Sequence, residues 1–370
     1  MTSIHTNSGA ISALQTLRSI SGGMEKAQGQ ISSGLRVSTA SNNASYWSIA
    51  TTMKSERADL SAVSDAIEFT SVVLATAYAG MDAIQKEFST VRNLMIAASQ
   101  MPAPEIAFPW SAVDQVDQLD PGYNRSQQAK IAHEVDQHML QIRTILQSSS
   151  FAGVNLLYVG DNSPVRASEV VNSFVTGYAD GRVLTSDLAL KDTLLVNDSF
   201  MDAATFSNMD PKDDGLFDAS YSLTVTGADG DTHATGLSSF SQYSVSWEGG
   251  STSPIAKSND MIRTVEMYVQ RYGADRQAAW DYLIPQIDER LQGLIDRMST
   301  LGSLQKAVQA HGETVAGKMD AIDRGVGRLI DTDMNEASTR FRALETQQQL
   351  ANQALTIANS NAENILRLFG

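Results

Sequence analysis

The sequence predicts a mainly α-helical protein with an inserted β-rich domain, in which both chain ends build a long antiparallel coiled-coil rod. Apolar residues near both ends recur alternately every three and four positions, which is the spacing of helices packed on helices. Residues 161–256 lose this spacing and are rich in Gly, Ser, Thr, Asp and Asn. Residues 1–17 and 346–362 contain no charged side chain, which is unusual for a helix on the surface of a monomer.

The composition argues against several functional classes. Only 19% of the 370 residues are charged, against about 25% in an average protein, and 42 acidic residues outnumber 27 basic ones for a net charge of −15. No nucleic-acid partner is expected, because such proteins carry a basic surface. Cysteine is absent, which excludes disulfides and thiolate chemistry. No run of 18 apolar residues predicts a membrane span, and the N-terminus lacks the features of a secretory signal peptide.

The longest regular pattern predicts a helix from about residue 55 to residue 98. Such a helix would be about 66 Å long, because each residue adds about 1.5 Å. A rod of this length is rare in a compact domain, so we expect it to pack against other long helices. Eleven of its twelve seam positions are apolar, and the seam consists of Leu60, Val63, Ile67, Thr70, Leu74, Ala77, Met81, Ile84, Phe88, Val91, Met95 and Ala98.

Shorter seams predict further helices in both halves of the chain. They cover residues 17–31, 126–147, 284–301, 315–329 and 341–369. The segment Asp331–Thr332–Asp333 interrupts the last two seams. Because Asp is a favoured N-cap, we expect one helix to end and the next to begin there.

The central segment contains candidate strands. Tyr221–Thr226 alternates between apolar and polar residues and is followed by a Gly- and Asp-rich turn at 227–230. Gln242–Trp247 alternates again. These patterns predict a small β-rich domain over 161–256. A second loop region, 101–125, holds four of the eight prolines and should join two antiparallel helices.

The uncharged chain ends admit two interpretations. One is a polar tail that is disordered in the isolated monomer. The other is a tail that folds in an assembly, where small and amide side chains pack helix on helix with little charge to desolvate. Both can hold for the same chain. The seam positions that we expect to pack in the assembly are Leu17, Ile20, Met24, Ile31, Leu344, Ala351, Leu355, Ala358, Ile365 and Phe369.

No motif predicts catalysis, a cofactor site or a metal site. His133 and His138 are five positions apart, so on a helix they would point about 140° apart and could not share a metal. Gly325–Val326–Gly327 lies inside a helical pattern, and Asp229–Gly230–Asp231 lacks the other ligands of a calcium loop. We interpret these residues as solvated helix, helix interior and turn.

Four segments resemble signatures of bacterial flagellins. Residues 29–50 are similar to the N-terminal signature, and Phe151–Leu157 resembles the hairpin that follows the second long helix. Ile330–Met334 and Ala351–Leu355 resemble the C-terminal signature. The segments occur in the order of the family, and their departures from its pattern resemble flagellins of soil alpha-proteobacteria. It covers residues of about 1–160 and 257–370.

The resemblance implies a structural protein that polymerises into the flagellar filament for swimming, without catalysis. It implies three regions: terminal helices of the inner filament core at 1–45 and 331–370, a helical rod domain with a β-hairpin at 46–160 and 257–330, and a surface-exposed variable β-rich domain at 161–256.

The resemblance also implies partners and a location. The chain would be exported unfolded through the flagellar type III apparatus and would lie outside the cell. Its partners would be copies of itself or other flagellins, an export chaperone, and the cap and hook–filament junction proteins. A hook–filament junction protein of the same architecture is the alternative. An enzyme whose site is formed between subunits is a second rival, because some flagellins carry inserted proteases. Such a site needs a metal or triad motif, and His233 is the only histidine in 161–256.

In flagellins, the segment that matches residues 29–50 is read by plant innate-immune receptors. Gly34 and Arg36 match the family pattern. The paired aspartates of the pattern are here Asn42 and Asn43, and its glycine is Tyr46. The loss of two charges and the added aromatic bulk predict that recognition by host receptors is weakened.

Overall fold

A computed structural model describes residues 7–106, 121–160, 167–179, 182–197, 215–218, 221–237 and 258–369. The contacts within the chain form two compact units. Unit 1 combines Met1–Ala62 with Thr314–Gly370, and unit 2 consists of Val63–Glu313. The predicted fold class is confirmed, because the described residues are mainly helical and the strands lie in the middle of the chain.

The described helices are α1 (Ser8–Ser33), α2 (Ala44–Gln100), α3 (Pro121–Asn124), α4 (Gln127–Ser148), α5 (Ser258–Tyr272), α6 (Arg276–Ile330) and α7 (Met334–Phe369). The strands are β1 (Ser150–Phe151), β2 (Val154–Asn155), β3 (Tyr158–Val159), β4 (Val171–Ala179), β5 (Arg182–Ala189), β6 (Val196–Asn197), β7 (Tyr221–Thr226) and β8 (Thr232–Leu237).

The predicted seam of α2 is confirmed. All twelve positions from Leu60 to Ala98 are buried, and none is more than 5% exposed. The one polar member, Thr70, is satisfied locally because its hydroxyl donates to the Ala66 carbonyl at 2.9 Å. The helix begins well before the predicted start, at Ala44. Its first three turns were missed because most of their side chains are exposed and show no seam.

The two seams predicted at 284–301 and 315–329 belong to one helix. α6 runs without a break from Arg276 to Ile330. The apparent gap is bridged by Val308, which is fully buried and lies seven residues from both Leu301 and Val315, themselves buried. The helix then ends where it was predicted to end. Asp333 caps α7 as expected, because its carboxylate accepts from the Asn335 amide at 2.8 Å.

A buried carboxylate lies where the α2 seam ends. Glu266 on α5 is fully buried and is paired with Arg276, whose Nη2 lies 2.6 Å from Glu266 Oε1. Trp280 Nε1 and Gln128 Nε2 donate to the same oxygen at 3.0 and 2.9 Å. The charge is therefore neutralised and hydrogen-bonded from three directions, which is the condition for burying a carboxylate.

The same side chains satisfy the end of α2. The last carbonyls of a helix have no partner within the helix. Arg276 donates to the Ser99 and Ala98 carbonyls at 2.7 and 3.2 Å, and Gln128 donates to the Ala98 carbonyl at 3.0 Å. One polar cluster thus joins α2, α4, α5 and α6 inside unit 2.

The β-hairpin predicted from Phe151–Leu157 is confirmed. β1 and β2 pair antiparallel, and the turn between them places Ala152 and Gly153 at positive φ, 49° and 83°. Asn155 holds the hairpin against α4, because its amide donates to the Leu146 carbonyl at 2.8 Å.

The middle region forms two-stranded ribbons. β4 pairs with β5 and β7 with β8, both antiparallel, while β3 pairs with β6 in parallel. The strand predicted at Tyr221–Thr226 is confirmed as β7, whereas Gln242–Trp247 lies outside the described residues. β7 packs on α6, where the Gln286 side chain pairs with both the N–H and the C=O of Ser222. Burial raises the pKa of Tyr221 on this strand well above its usual value.

Placing a charge in the α2 seam should destabilise unit 2. Leu74 is fully buried, so Leu74→Asp would bury a carboxylate without a partner at a cost of several kcal/mol, about 3 or more. Thermal unfolding followed by circular dichroism should shift to a markedly lower temperature. The matched control is Ala79→Asp, which adds the same charge at an exposed position of the same helix. Equal melting curves for the two variants would contradict a buried seam.

Breaking the buried ion pair should cost more than breaking an exposed one. Arg276→Met leaves the Glu266 carboxylate uncompensated and should lower the free energy of unfolding by about 3–5 kcal/mol. In the double variant with Glu266→Gln, the loss should be smaller than the sum of the two single losses, because no charge is left without its partner. Urea unfolding measures both effects. Arg340→Met removes the exposed pair with Glu336 and should cost about 0.5 kcal/mol or less; an equal loss at both sites would refute the assignment.

Candidate assembly surface

α1 and α7 lie side by side and antiparallel in unit 1. The Asn7 amide donates to the Ala358 carbonyl at 2.9 Å, near the start of one helix and towards the end of the other. A Cβ built at Gly23 would lie 3.4 Å from Leu344 Cδ2. Residues further along α1 therefore meet residues nearer the start of α7.

Both ends of α1 are capped. The Asn7 side chain accepts from the Ala10 amide at 3.1 Å, so one residue both begins α1 and ties it to α7. At the other end Gly34 takes a left-handed conformation with φ 71°, and its N–H donates to the Gln30 carbonyl. A residue with a side chain would be strained in this conformation.

The structure places eight of the ten predicted seam positions on the less exposed side of these helices. Ile20 and Ala351 are buried, each 8% exposed. Six are half-buried: Leu17, Met24, Ile31, Leu344, Leu355 and Ala358. Ile365 and Phe369 lie on α7, but their side chains are outside the described part of the chain.

The outer side of the same helices exposes large apolar side chains. Ile11 and Leu14 on α1 are 52% and 44% exposed, and Leu350 and Ile357 on α7 are 59% and 61% exposed. The four lie within the two uncharged stretches, 1–17 and 346–362. A surface that is apolar, amide-rich and free of charge can be covered by another protein with little desolvation cost.

Two crossing segments connect the terminal helices to the long ones. Residues 34–43 join α1 to α2, and residues 331–333 join α6 to α7. The segments pair with each other through an antiparallel bridge between Leu35 and Asp331. The Thr332 N–H donates to the Gly34 carbonyl at 2.9 Å.

Arg36 fastens this crossing to the last turn of α6. Its backbone N–H donates to the Ile330 carbonyl at 2.6 Å, and its guanidinium donates to the Leu329 carbonyl at 2.9 Å. The guanidinium lies 5.8 Å from the centre of the Tyr46 ring. A cation at the C-terminus of a helix is favourable, because the free carbonyls there carry a partial negative charge.

Asn42 and Asn43, the two asparagines that stand where the flagellin pattern has aspartates, each stabilise the local backbone. Asn42 Oδ1 accepts from the Ser38 and Thr39 amides, both at 3.2 Å, and closes the turn. Asn43 is the N-cap of α2, because its side chain accepts from the Tyr46 amide at 3.1 Å. The known preference of Asn for turns and helix caps could have predicted both roles from the sequence.

A small apolar core lies beneath the crossing. Val37, Ala50, Val326 and Ile330 are buried together, with Leu35, Met53, Ile322 and Leu329 packed against them. Val37 and Ala50 were not predicted, because no seam connects them to each other in the sequence. Gly325 lies inside α6, as predicted, and lets Met53 approach, since a Cβ there would be 2.7 Å from its Cε.

Within the part of the chain that the structure describes, few side chains that could perform chemistry lie together. Among the described residues, no group of three His, Asp or Glu side chains could hold a metal. His133 is exposed, as predicted, but His138 is not simply solvated, because its Nδ1 lies 2.6 Å from Glu87 Oε2 and joins α4 to α2. Asp229–Gly230–Asp231 forms a turn as predicted, in which Asp229 accepts from the Asp231 amide.

Among the described helices, α2 contains an 18-residue window that is apolar enough, by length and composition alone, to cross a membrane. This differs from the expectation drawn from uninterrupted apolar runs. Only 39% of the window is buried, as befits a helix with one packed face, and core helices of water-soluble proteins meet the same criterion. The finding is weak support for a membrane span.

Two family models match the chain at its two ends. The model of the bacterial flagellin N-terminal helical region matches residues 4–106. The model of the bacterial flagellin C-terminal helical region matches residues 284–369. These ranges include both terminal helices, the crossing, all of α2 and most of α6.

Curated relatives match along the whole chain. Flagellin D of Rhizobium meliloti is 36% identical over 419 aligned residues, covering 100% of both chains. Flagellin C of Rhizobium meliloti (strain 1021) is 36% identical over 373, covering 100% of this chain and 99% of the relative. The flagellin of Brucella melitensis is 31% identical over 369. These matches give no support to the hook–filament junction alternative. The chain therefore belongs to the bacterial flagellin family and is a structural subunit of a flagellar filament.

Proposed function

We propose that copies of this chain polymerise through the outer surface of α1 and α7. The observation that carries the proposal is the pairing of exposed apolar side chains with a complete lack of charge in 1–17 and 346–362. A solvated helix normally keeps charged residues on its outer side. Covering this surface would remove apolar area from water without stripping water from any charged group of these stretches.

The seam positions in α1 and α7 take part by holding the two helices as one unit. In a filament, Leu17, Ile20 and Met24 would keep α1 against α7, while the exposed row would meet a neighbouring copy. Residues 1–45 and 331–370 would then form the inner core of the filament. The half-buried state of many seam residues supports this role, because a helix pair alone leaves them partly in water.

The remaining regions would lie further from the filament axis. Residues 46–160 and 257–330 would form the rod domain, and 161–256 would face water. The insert holds 14 of the 42 acidic residues but only four of the 27 basic ones, a composition that suits a solvated outer surface. The proposal assigns no catalytic step to any region.

Family membership supports a proposal for the location and the other partners. The chain would be secreted and would lie in the extracellular filament. An export chaperone would bind it before export, and the cap and the hook–filament junction proteins would contact it in the finished organelle. Other flagellins of the same cell could share the filament. Host immune receptors would bind it only weakly.

A charge on the outer row should block polymerisation without unfolding the monomer. Ile357 is 61% exposed, so Ile357→Asp should leave the circular dichroism of the monomer unchanged. In a filament the carboxylate would be buried without a partner, which should raise the critical concentration by about 100-fold or more. Sedimentation and electron microscopy with filament seeds measure this. Thr339→Asp is the control at an exposed position of α7 outside the uncharged stretch; filaments of Ile357→Asp at the concentration of the control would refute the proposed surface.

A synthetic peptide of residues 29–50 should be a weak elicitor in plant leaf assays. The carbonyl oxygens of Asn42 and Asn43 make bonds that aspartates could also accept, so the difference that a receptor meets is charge. Replacing Asn42 and Asn43 by Asp and Tyr46 by Gly together should restore part of the oxidative burst. A scrambled peptide is the control. A burst from the unmodified peptide at the potency of the restored one would overturn the expectation.

A further inference from the structure

The last turn of α6 depends on partners outside the helix. The carbonyls of Arg328, Leu329 and Ile330 are among the last of α6, so no backbone N–H within the helix donates to them. Backbone N–H groups of Arg36 and Val37 reach Ile330, at 2.6 and 3.2 Å, and the Arg36 guanidinium reaches Leu329 and Arg328, at 2.9 and 3.4 Å. Residues almost 300 positions apart are joined here, so the bonds fix the crossing.

The side chain that makes these bonds is itself exposed. An exposed arginine loses rotamer freedom when it is held in one geometry, and water competes for its donors. The Tyr46 ring lies 5.8 Å from the guanidinium, within the range of a cation–π contact, and covers one side of it. Tyr46 is held in turn, because its amide donates to the Asn43 cap at the start of α2.

We propose that Tyr46 is a positioning residue for assembly: its ring holds Arg36 on the C-terminal carbonyls of α6, and this clamp fixes the crossing from which α1 and α7 leave together. The link to assembly rests on the function proposed above. The flagellin pattern described above has glycine at this position, which offers no ring. The aromatic side chain thus has a role in the filament and is not explained by host recognition alone.

If Tyr46 is replaced by the glycine of the family pattern, we expect the crossing to become less stable. A chain with a small residue at position 46 would regain space for a receptor but would release the guanidinium. The hydrogen bonds between the two crossing segments would then break more often. The positions of α1 and α7 would be less fixed when a neighbouring copy binds them.

Amide hydrogen exchange of the full-length monomer tests the clamp directly. Tyr46→Ala removes the ring without weakening α2, because alanine has a higher helix propensity than tyrosine. Exchange of the Val37 and Thr332 amides should become about two- to fivefold faster, as expected for loss of one exposed cation–π contact. Tyr46→Phe keeps the ring and should exchange as the unmodified chain does. Tyr282→Ser, at an exposed tyrosine of unit 2, should change neither amide.

A double-variant cycle separates positioning from simple packing. In a chain that already carries Arg36→Met, Tyr46→Ala should have no further effect on exchange of Val37 and Thr332, because the ring has nothing left to hold. An equal effect with and without Arg36 would overturn the proposal, as would equal exchange in Tyr46→Ala and Tyr46→Phe.

The critical concentration for seeded polymerisation tests the link to assembly. It should rise by about the same two- to fivefold factor in Tyr46→Ala and return to normal in Tyr46→Phe. Faster exchange with an unchanged critical concentration would overturn the role in assembly. Because exchange is measured on the monomer, failure of the clamp is distinguishable from failure of the proposed surface, which Ile357→Asp tests separately.

Discussion

The apolar seam of α2 is the constraint on which the rest of the fold depends. One side of this helix must be removed from water, and each neighbouring element covers a part of it. α4 and α6 supply Val135 and Ile287 around a small apolar cavity of about 20 Å³ that Val91 also lines. The middle region contributes Phe217, whose ring centre lies 5.1 Å from that of Phe88. If α2 were rotated about its axis by one residue, about 100°, the seam side chains would lose all of these contacts together.

The polar cluster around Glu266 lies at the C-terminal end of α2, where the seam ends. An apolar cap would leave the last carbonyls of α2 unsatisfied, whereas Arg276 and Gln128 donate to them. Burying the ion pair contributes little net stability, because desolvation offsets most of the attraction. Its effect is on geometry, since the carboxylate is satisfied only when α4, α5 and α6 all lie in place.

The parts of the fold that were predicted depend on local periodicity. The twelve seam positions and the cap at Asp333 could be derived from neighbouring residues, whereas the hairpin at Phe151 was expected from the resemblance to flagellins. The clamp of Arg36 could not, because its partners lie 293 residues away and nothing local marks them. Glu266 was missed although a signal existed, since an acidic residue falls among the apolar positions Ile262, Val265 and Val269 of α5. For the assembly surface, the lack of charge identified the two helices in the sequence. Only the structure shows which of their side chains face the partner helix and which are exposed on the other side.

The crossing also sets an order of events during folding. α2 and α4 are near neighbours in sequence and can meet early, whereas Arg36 has no helix end to bind until Leu329 exists. At a synthesis rate of about 5–20 residues per second, that wait is about 15–60 s. α1 waits longer still, because Asn7 and Ala358 are 351 residues apart. α1 is therefore without its intramolecular partner for nearly the whole time that the chain is being made, so premature association is most hazardous at the end of the chain that is made first.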